Sequence, residues 1–265
     1  MIRLGLSTCF FENRTDAAEW KSAKEAGFTD VEISMNTLPH AYITEGETLV
    51  AAVKAAGLRV FSIHVPFIFD YDISSPDESK QAEIEANCKA VIDAGHKWGA
   101  TVITTHASSE PFDQGEREAR LVAGKKMYET LGDYAAERGM RLTVEVLPRL
   151  CMGNTAKECM YFSDGEKSFI NFDVNHLLWE SHADFIKEAG SRIITTHLSD
   201  YDFVNERHWI PGDGQIDWRA LYEGLEAVGY DGPYLFELKN NIAGEPITAR
   251  ELAARFCSLI GVAYP

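Results

Sequence analysis

The sequence predicts an α/β fold, a (β/α)8 TIM barrel formed as a single domain over residues 1–265, on three observations. Short β-branched runs alternate with longer helical patterns from end to end. Several helical patterns close on a glycine just before the next run. The runs number eight, and eight strand–helix units in about 250 residues have the size and rhythm of such a barrel.

The runs fall at 2–7, 30–34, 58–64, 101–106, 141–147, 169–174, 192–198 and 233–238. They read as apolar on both faces, as strands do in a parallel sheet covered by helices. Helical patterns occupy 16–26, 47–56, 78–98, 116–138, 218–228 and 247–260. Gly27, Gly57, Gly99, Gly139, Gly190 and Gly229 stand where a helix ends in a left-handed residue. An open doubly wound sheet is the competing arrangement. It requires a glycine-rich phosphate turn after the first strand, and Ser7-Thr8-Cys9-Phe10-Phe11 contains no glycine. No Pro/Ser-rich linker or shift of composition divides the chain.

Composition narrows the function classes. With 25 basic and 41 acidic residues the net charge is −16, a field that repels phosphate backbones, so no nucleic-acid partner is expected. No stretch approaches the ~20 apolar residues of a membrane span, and the first residues, MIRLGLSTCFFENR, lack the apolar core and cleavage site of a secretory signal. The five cysteines are scattered, with no C-x-x-C pair, which fits a reducing compartment. The expectation is a cytoplasmic protein with no membrane partner.

Metal-type residues cluster at strand ends. His64, His106 and His197 end runs three, four and seven, and His176 and His208 lie just past runs six and seven. Glu145, Asp173 and Glu237 occupy the ends of runs five, six and eight. In a parallel barrel these ends share one mouth. Carboxylates in otherwise apolar strands are costly unless paired or coordinated, and a divalent cation between Glu145 and Glu237 would offset that cost. Taken singly, each residue has an ordinary alternative as a hydrogen-bonded core residue, cap or turn former. Four consecutive strands delivering one such residue each is harder to dismiss. His40, His96 and His182 fall away from this mouth.

The segments TVEVLPR, NFDVNH, THLSD, PGDGQIDW and LFELK resemble the xylose-isomerase-like barrel superfamily, in particular its sugar phosphate isomerase/epimerase branch, over essentially the whole chain. The resemblance implies one divalent ion, Mn²⁺ first and Mg²⁺, Co²⁺ or Zn²⁺ as alternatives, held by Glu145, Asp173, His197 and Glu237. It implies that His176 faces the substrate and that the chain forms a homodimer. The related apurinic-site endonucleases hold three zinc ions, and His64, His106 and His208 match their additional ligands, with Glu206 where an Asp would stand. Cys151 departs from the ketohexose 3-epimerase pattern, which has a second Glu there, so that specific activity is not expected.

The expected function is isomerisation or epimerisation of a small sugar-like polyhydroxy carbonyl compound through an enediolate. Glu145 and Glu237 would remove and return the proton as well as bind the metal, each keeping one oxygen free. Asp173 and His197 would be structural ligands. His64, His106, Arg149, His176 and His208 would bind substrate hydroxyls or a phosphate, with outer support of the metal ligands as the alternative. Phe10, Phe67, Trp179 and Trp209 are candidates for an apolar wall, and loops 67–76 and 201–213 for specificity. A zinc phosphodiesterase, a lyase or dehydratase on the same metal, and a sugar-binding barrel without catalysis are the competing classes.

Overall fold

Strand β1 (Leu4–Ser7) pairs in parallel with β2 (Phe28–Ser34) on one side and with β8 (Tyr234–Phe236) on the other, which is how a sheet begins to close on itself. The computed structural model describes residues 2–34, 39–242 and 244–264; the side chain of His40 lies outside what is described. Around the rest of the sheet β3 (Arg59–His64), β4 (Val102–Thr105), β5 (Arg141–Glu145), β6 (Ser168–Asp173) and β7 (Ile193–His197) follow in chain order, all parallel. The last seam forms just beyond β7. There Leu198 N–H donates to Leu235 O (2.8 Å) and Glu237 N–H donates to Leu198 O (3.2 Å). Those two bonds set Glu237 beside the end of β7.

Helices α1 (Ala17–Glu25), α2 (Pro39–Ala55), α3 (Glu78–Trp98), α4 (Arg117–Ala136), α5 (Ala156–Phe162), α6 (His182–Ala189), α7 (Trp218–Ala227) and α8 (Ala249–Ile260) alternate with the strands. Most begin at a side chain that satisfies otherwise orphaned N–H groups: Asp16, Asp77, Thr155, Ser181, Asp217 and Thr248 all cap in this way. Gly99 closes α3 in the left-handed region, at φ 89° and ψ 17°, a conformation costly for any residue with a Cβ. Gly190 differs from its expected role, because its ψ of −132° lies outside that region and a short 3₁₀ turn follows. The sequence patterns located α3 to the residue. They gave α2 only its C-terminal half and specified neither α5 nor α6, two short helices of 7 and 8 residues.

The barrel interior is layered. Register shifts leave Phe61 of β3 and Ile194 of β7 without an opposite residue, and such bulges re-aim side chains. Phe61, Ile194, Val102 and Leu235 form a small apolar cluster separate from the core beneath the helices. Above this plug the lining turns polar, and the mouth begins.

The loop after β7 is built around one buried carboxylate. Asp200 is fully buried. Its Oδ1 accepts from the N–H of Tyr201 (2.9 Å) and Ile216 (3.2 Å), and its Oδ2 from Gly212 N–H (2.7 Å) and the Trp218 indole (2.9 Å). Gly214 packs so closely that a Cβ there would lie 2.3 Å from Asp200 Oδ1. Asp200→Ala removes a charged acceptor from four donors and should cost about 3 kcal/mol or more. A urea midpoint within error of wild type would show that these bonds do not hold the loop.

Candidate active site

The C-terminal strand ends carry their side chains into one mouth. Glu145, Asp173 and His197 are the last residues of β5, β6 and β7, and Glu237 directly follows β8. His64 ends β3 and His106 directly follows β4. One donor atom from each of Glu145, Asp173, His197 and Glu237 lies within 4.8 Å of the others. At their centre is His197 Nδ1, 3.1 Å from Glu237 Oε2, 3.3 Å from Glu145 Oε1 and 3.8 Å from Asp173 Oδ2.

Both ring nitrogens of His197 face carboxylates. Nε2 lies 2.8 Å from Glu32 Oε1 without hydrogen-bond alignment, and a proton there would leave a lone pair on Nδ1, which has the Asn171 amide nitrogen at 3.1 Å. A lone pair turned toward three carboxylates is repulsive, and a cation among them reverses the sign. Asp173 Oδ2 is buried without a hydrogen-bond partner. His176 Nδ1 is 3.2 Å from it, but that nitrogen donates to Val146 O at 3.0 Å. One imidazole and three carboxylates suit a divalent ion, and the geometry fits one.

Proton affinities follow the same crowding. Burial pushes Asp173 up to about 7, with Glu145 and Glu237 adding to it against His176 and His197. Burial lowers the affinity of His197 for a proton, but Glu237, Glu32 and Glu145 overcome this and hold it well above the ordinary imidazole range. Burial raises Glu145, yet His197, His106 and His64 hold it well below the usual carboxylate range.

Glu32 was not singled out in the sequence, although it presents the same signal as Glu145 and Glu237: a carboxylate in an apolar strand. It is fully buried, and Glu32 Oε2 accepts from Ser62 Oγ (2.8 Å) and Thr104 Oγ1 (3.3 Å), which fixes the carboxylate against His197. The structure also changes the picture of Glu145. Its Oε2 sits 2.8 Å from His64 Nε2 and 3.4 Å from His106 Nε2, so its second oxygen is engaged. Glu237 is more open, its side chain 17% exposed.

Above this centre is a cavity of about 380 Å³. His64, His106, Arg149, His176 and His208 all line it, while Asp173 and His197 lie beneath. His176 Nε2 is 3.2 Å from Glu206 Oε2, and Arg149 pairs with Glu206 at 2.7 Å and also with Glu110. His208 Nδ1 faces the Glu237 carbonyl at 3.2 Å. Arg149, Phe203 and His208 have positive φ without being glycine, all in loops after β5 and β7, and such backbone persists where its surroundings hold it. Asn154 and Trp179 do so for Arg149, donating to its carbonyl at 2.8 and 2.5 Å. Of the aromatic candidates, Phe67 lines the cavity, Phe10 is buried in the core and Trp179 is mostly exposed.

Comparison with known proteins agrees with this architecture. A family model described as xylose isomerase-like TIM barrel matches residues 20–258. The chain belongs to that family. Among xylose isomerase-like relatives, it is 27% identical to inosose dehydratase of Geobacillus thermodenitrificans over 72% of this chain and 73% of that protein. It is 23% identical to fructoselysine 3-epimerase of Shigella flexneri over 98% of each chain. A solved D-psicose 3-epimerase superposes with a TM-score of 0.80 at 18% identity, covering 98% of this chain and all of that one; this likeness concerns the fold. No described helix is long and apolar enough to cross a membrane.

Glu32→Gln should weaken divalent-ion binding at this ring by about tenfold to a hundredfold, the usual effect of losing the partner of a ligating histidine. Divalent-ion affinity should also fall as pH drops from 8 to 6, about tenfold per unit for each proton displaced, because His197, and Asp173 below about pH 7, would carry protons that an ion must replace. Calorimetric titration at three pH values reads both effects. A pH-independent affinity would place the ion elsewhere.

Proposed function

We propose that the protein is a divalent-metal-dependent isomerase or epimerase of a small sugar-like polyhydroxy carbonyl compound. The observation that carries this reading is the ring of Glu145, Asp173, His197 and Glu237 beneath a cavity lined by histidines. A family whose relatives include sugar epimerases and an inosose dehydratase supports it. A Mn²⁺-type ion, with Mg²⁺, Co²⁺ or Zn²⁺ as alternatives, would polarise a substrate carbonyl and acidify the neighbouring C–H.

The side chains divide the remaining work unevenly. Glu237 lines the cavity and is the more exposed of the two glutamates, which makes it the better placed carboxylate to take a proton from carbon. Glu145 has its second oxygen held by His64, so a proton delivered to that side is shared between carboxylate and imidazole. Asp173 and His197 hold the ion, and Glu32 holds His197. His106 and His208 line the cavity for contact with hydroxyls, His176 has both ring nitrogens engaged by Val146 O and Glu206, and a small carbohydrate is the proposed partner. Homodimer formation remains part of the proposal on family grounds.

Glu237→Gln and Glu145→Gln should each slow carbon-bound hydrogen exchange by about a thousandfold, the scale of a lost general base, with the circular dichroism spectrum unchanged. NMR detection of deuterium entering the sugar from D2O measures this. A variant that retains most of the exchange rate would sink the two-carboxylate scheme.

A second reading is favoured by one specific observation. His64, His106 and Glu145 bring donor atoms within 4.8 Å of one another, as do His176, Glu206 and His208, two further groups that a zinc-dependent phosphodiesterase of the apurinic-site endonuclease type would use. Cleavage of an abasic duplex by zinc-loaded protein would establish that reading. A lyase or dehydratase would share the first proton transfer and be recognised by loss of water from the product.

A further inference from the structure

We propose that the substrate is uncharged, a polyhydroxylated carbonyl compound carrying neither phosphate nor carboxylate, because the chain's own carboxylates occupy the places at the mouth where an anionic group would be held. The inference rests on the isomerase or epimerase reading and narrows its substrate class.

In parallel barrels a phosphate is commonly gripped by backbone amides of the loops after strands seven and eight. Here the glycine-containing loop after β7 turns its amides inward. The N–H groups of Gly212, Ile216 and Tyr201 and the Trp218 indole all donate to Asp200. With a Cβ on Gly214 falling 2.3 Å from that carboxylate, no room remains beside it for a second anion. The donor set exists, and an internal acid fills it.

The cationic side chains lining the cavity are also largely committed. Arg149 faces two carboxylates, Glu206 at 2.7 Å and Glu110 on its other edge, and adds a bond to Asn205 Oδ1 at 3.2 Å. Glu206 turns its other oxygen to His176. Arg207 is paired with Asp202 at 2.8 Å. Lys239 also lines the cavity, on an exposed side chain, and a single exposed ammonium in salt solution attracts an anion weakly. The rim therefore presents saturated ion pairs, and the overall charge of −16 opposes the approach of a dianion.

What the cavity does offer suits a neutral carbohydrate. Phe67, Leu147 and Ile242 supply apolar surface, and His106, whose Nδ1 has no hydrogen-bond partner, and His208 add imidazole rings to the lining. Hydrogen-bonding groups that need no charge on the ligand face a wall that the C–H surface of a sugar can cover.

The test uses metal-loaded full-length protein and three pairs of probes: D-psicose, D-tagatose and L-ribulose, each beside its terminal phosphate ester. Deuterium incorporation from D2O gives kcat/KM for every member. The free sugar of the best pair should exceed its ester by about tenfold or more. Glu110→Gln leaves Arg149 one carboxylate short, and should narrow that preference severalfold by raising kcat/KM for the ester. An ester used faster than its free sugar would overturn the inference and leave the epimerase reading standing. Exchange into no member of any pair would overturn that reading and the inference together. A preference unmoved by Glu110→Gln would overturn the assignment of Arg149 as its source.

Discussion

The arrangement of the mouth follows from one electrostatic constraint: three carboxylates converge on a single imidazole nitrogen inside a closed barrel. Glu145, Asp173 and Glu237 cannot remain ionised around His197 Nδ1 in a buried space without a positive charge among them. Either protons or a cation must supply it. Protons would do so on Asp173 and His197, whose proton affinities their surroundings raise. A divalent cation does so while leaving the carboxylates able to act as bases. Beneath the ring, Glu32 lies 2.8 Å from Nε2 and is itself held by Ser62 and Thr104.

The fold prepares this convergence cheaply. Each of the four residues stands at or just past the end of a strand whose register is fixed by its neighbours, and the seam at Leu198 sets Glu237 beside His197. The plug of Phe61, Val102, Ile194 and Leu235 closes the barrel below, so the polar groups face only the mouth. Negative charge recurs in two places. At the centre it would suit a cation, and around the cavity Glu110, Glu206 and Asp202 pair with Arg149 and Arg207 while buried Asp200 takes up the loop amides.

Much of this was legible in the sequence, for physical reasons. Strands covered on both faces read as apolar runs, and a carboxylate or histidine interrupting such a run stands out, which located Glu145, Asp173, His197 and Glu237. The long helix α3 was legible through its amphipathic length and Gly99. Short α5 and α6 were not, because two turns carry too little periodicity to separate from a loop. Glu32 escaped although its signal was equal, since it belongs to a strand whose end offers no first ligand and acts through His197. The roles of Asp200 and of the Arg149 pairs could not be read at all. They depend on contacts between loops far apart in the chain, whose meeting only the closed barrel determines.

The count of metal ions tests the central claim most directly. Protein loaded with Mn²⁺ and freed of excess, then measured by inductively coupled plasma mass spectrometry, should hold one ion per chain, and Asp173→Asn should hold far less. Two or three tightly held ions per chain, or one ion undiminished by that substitution, would contradict the account.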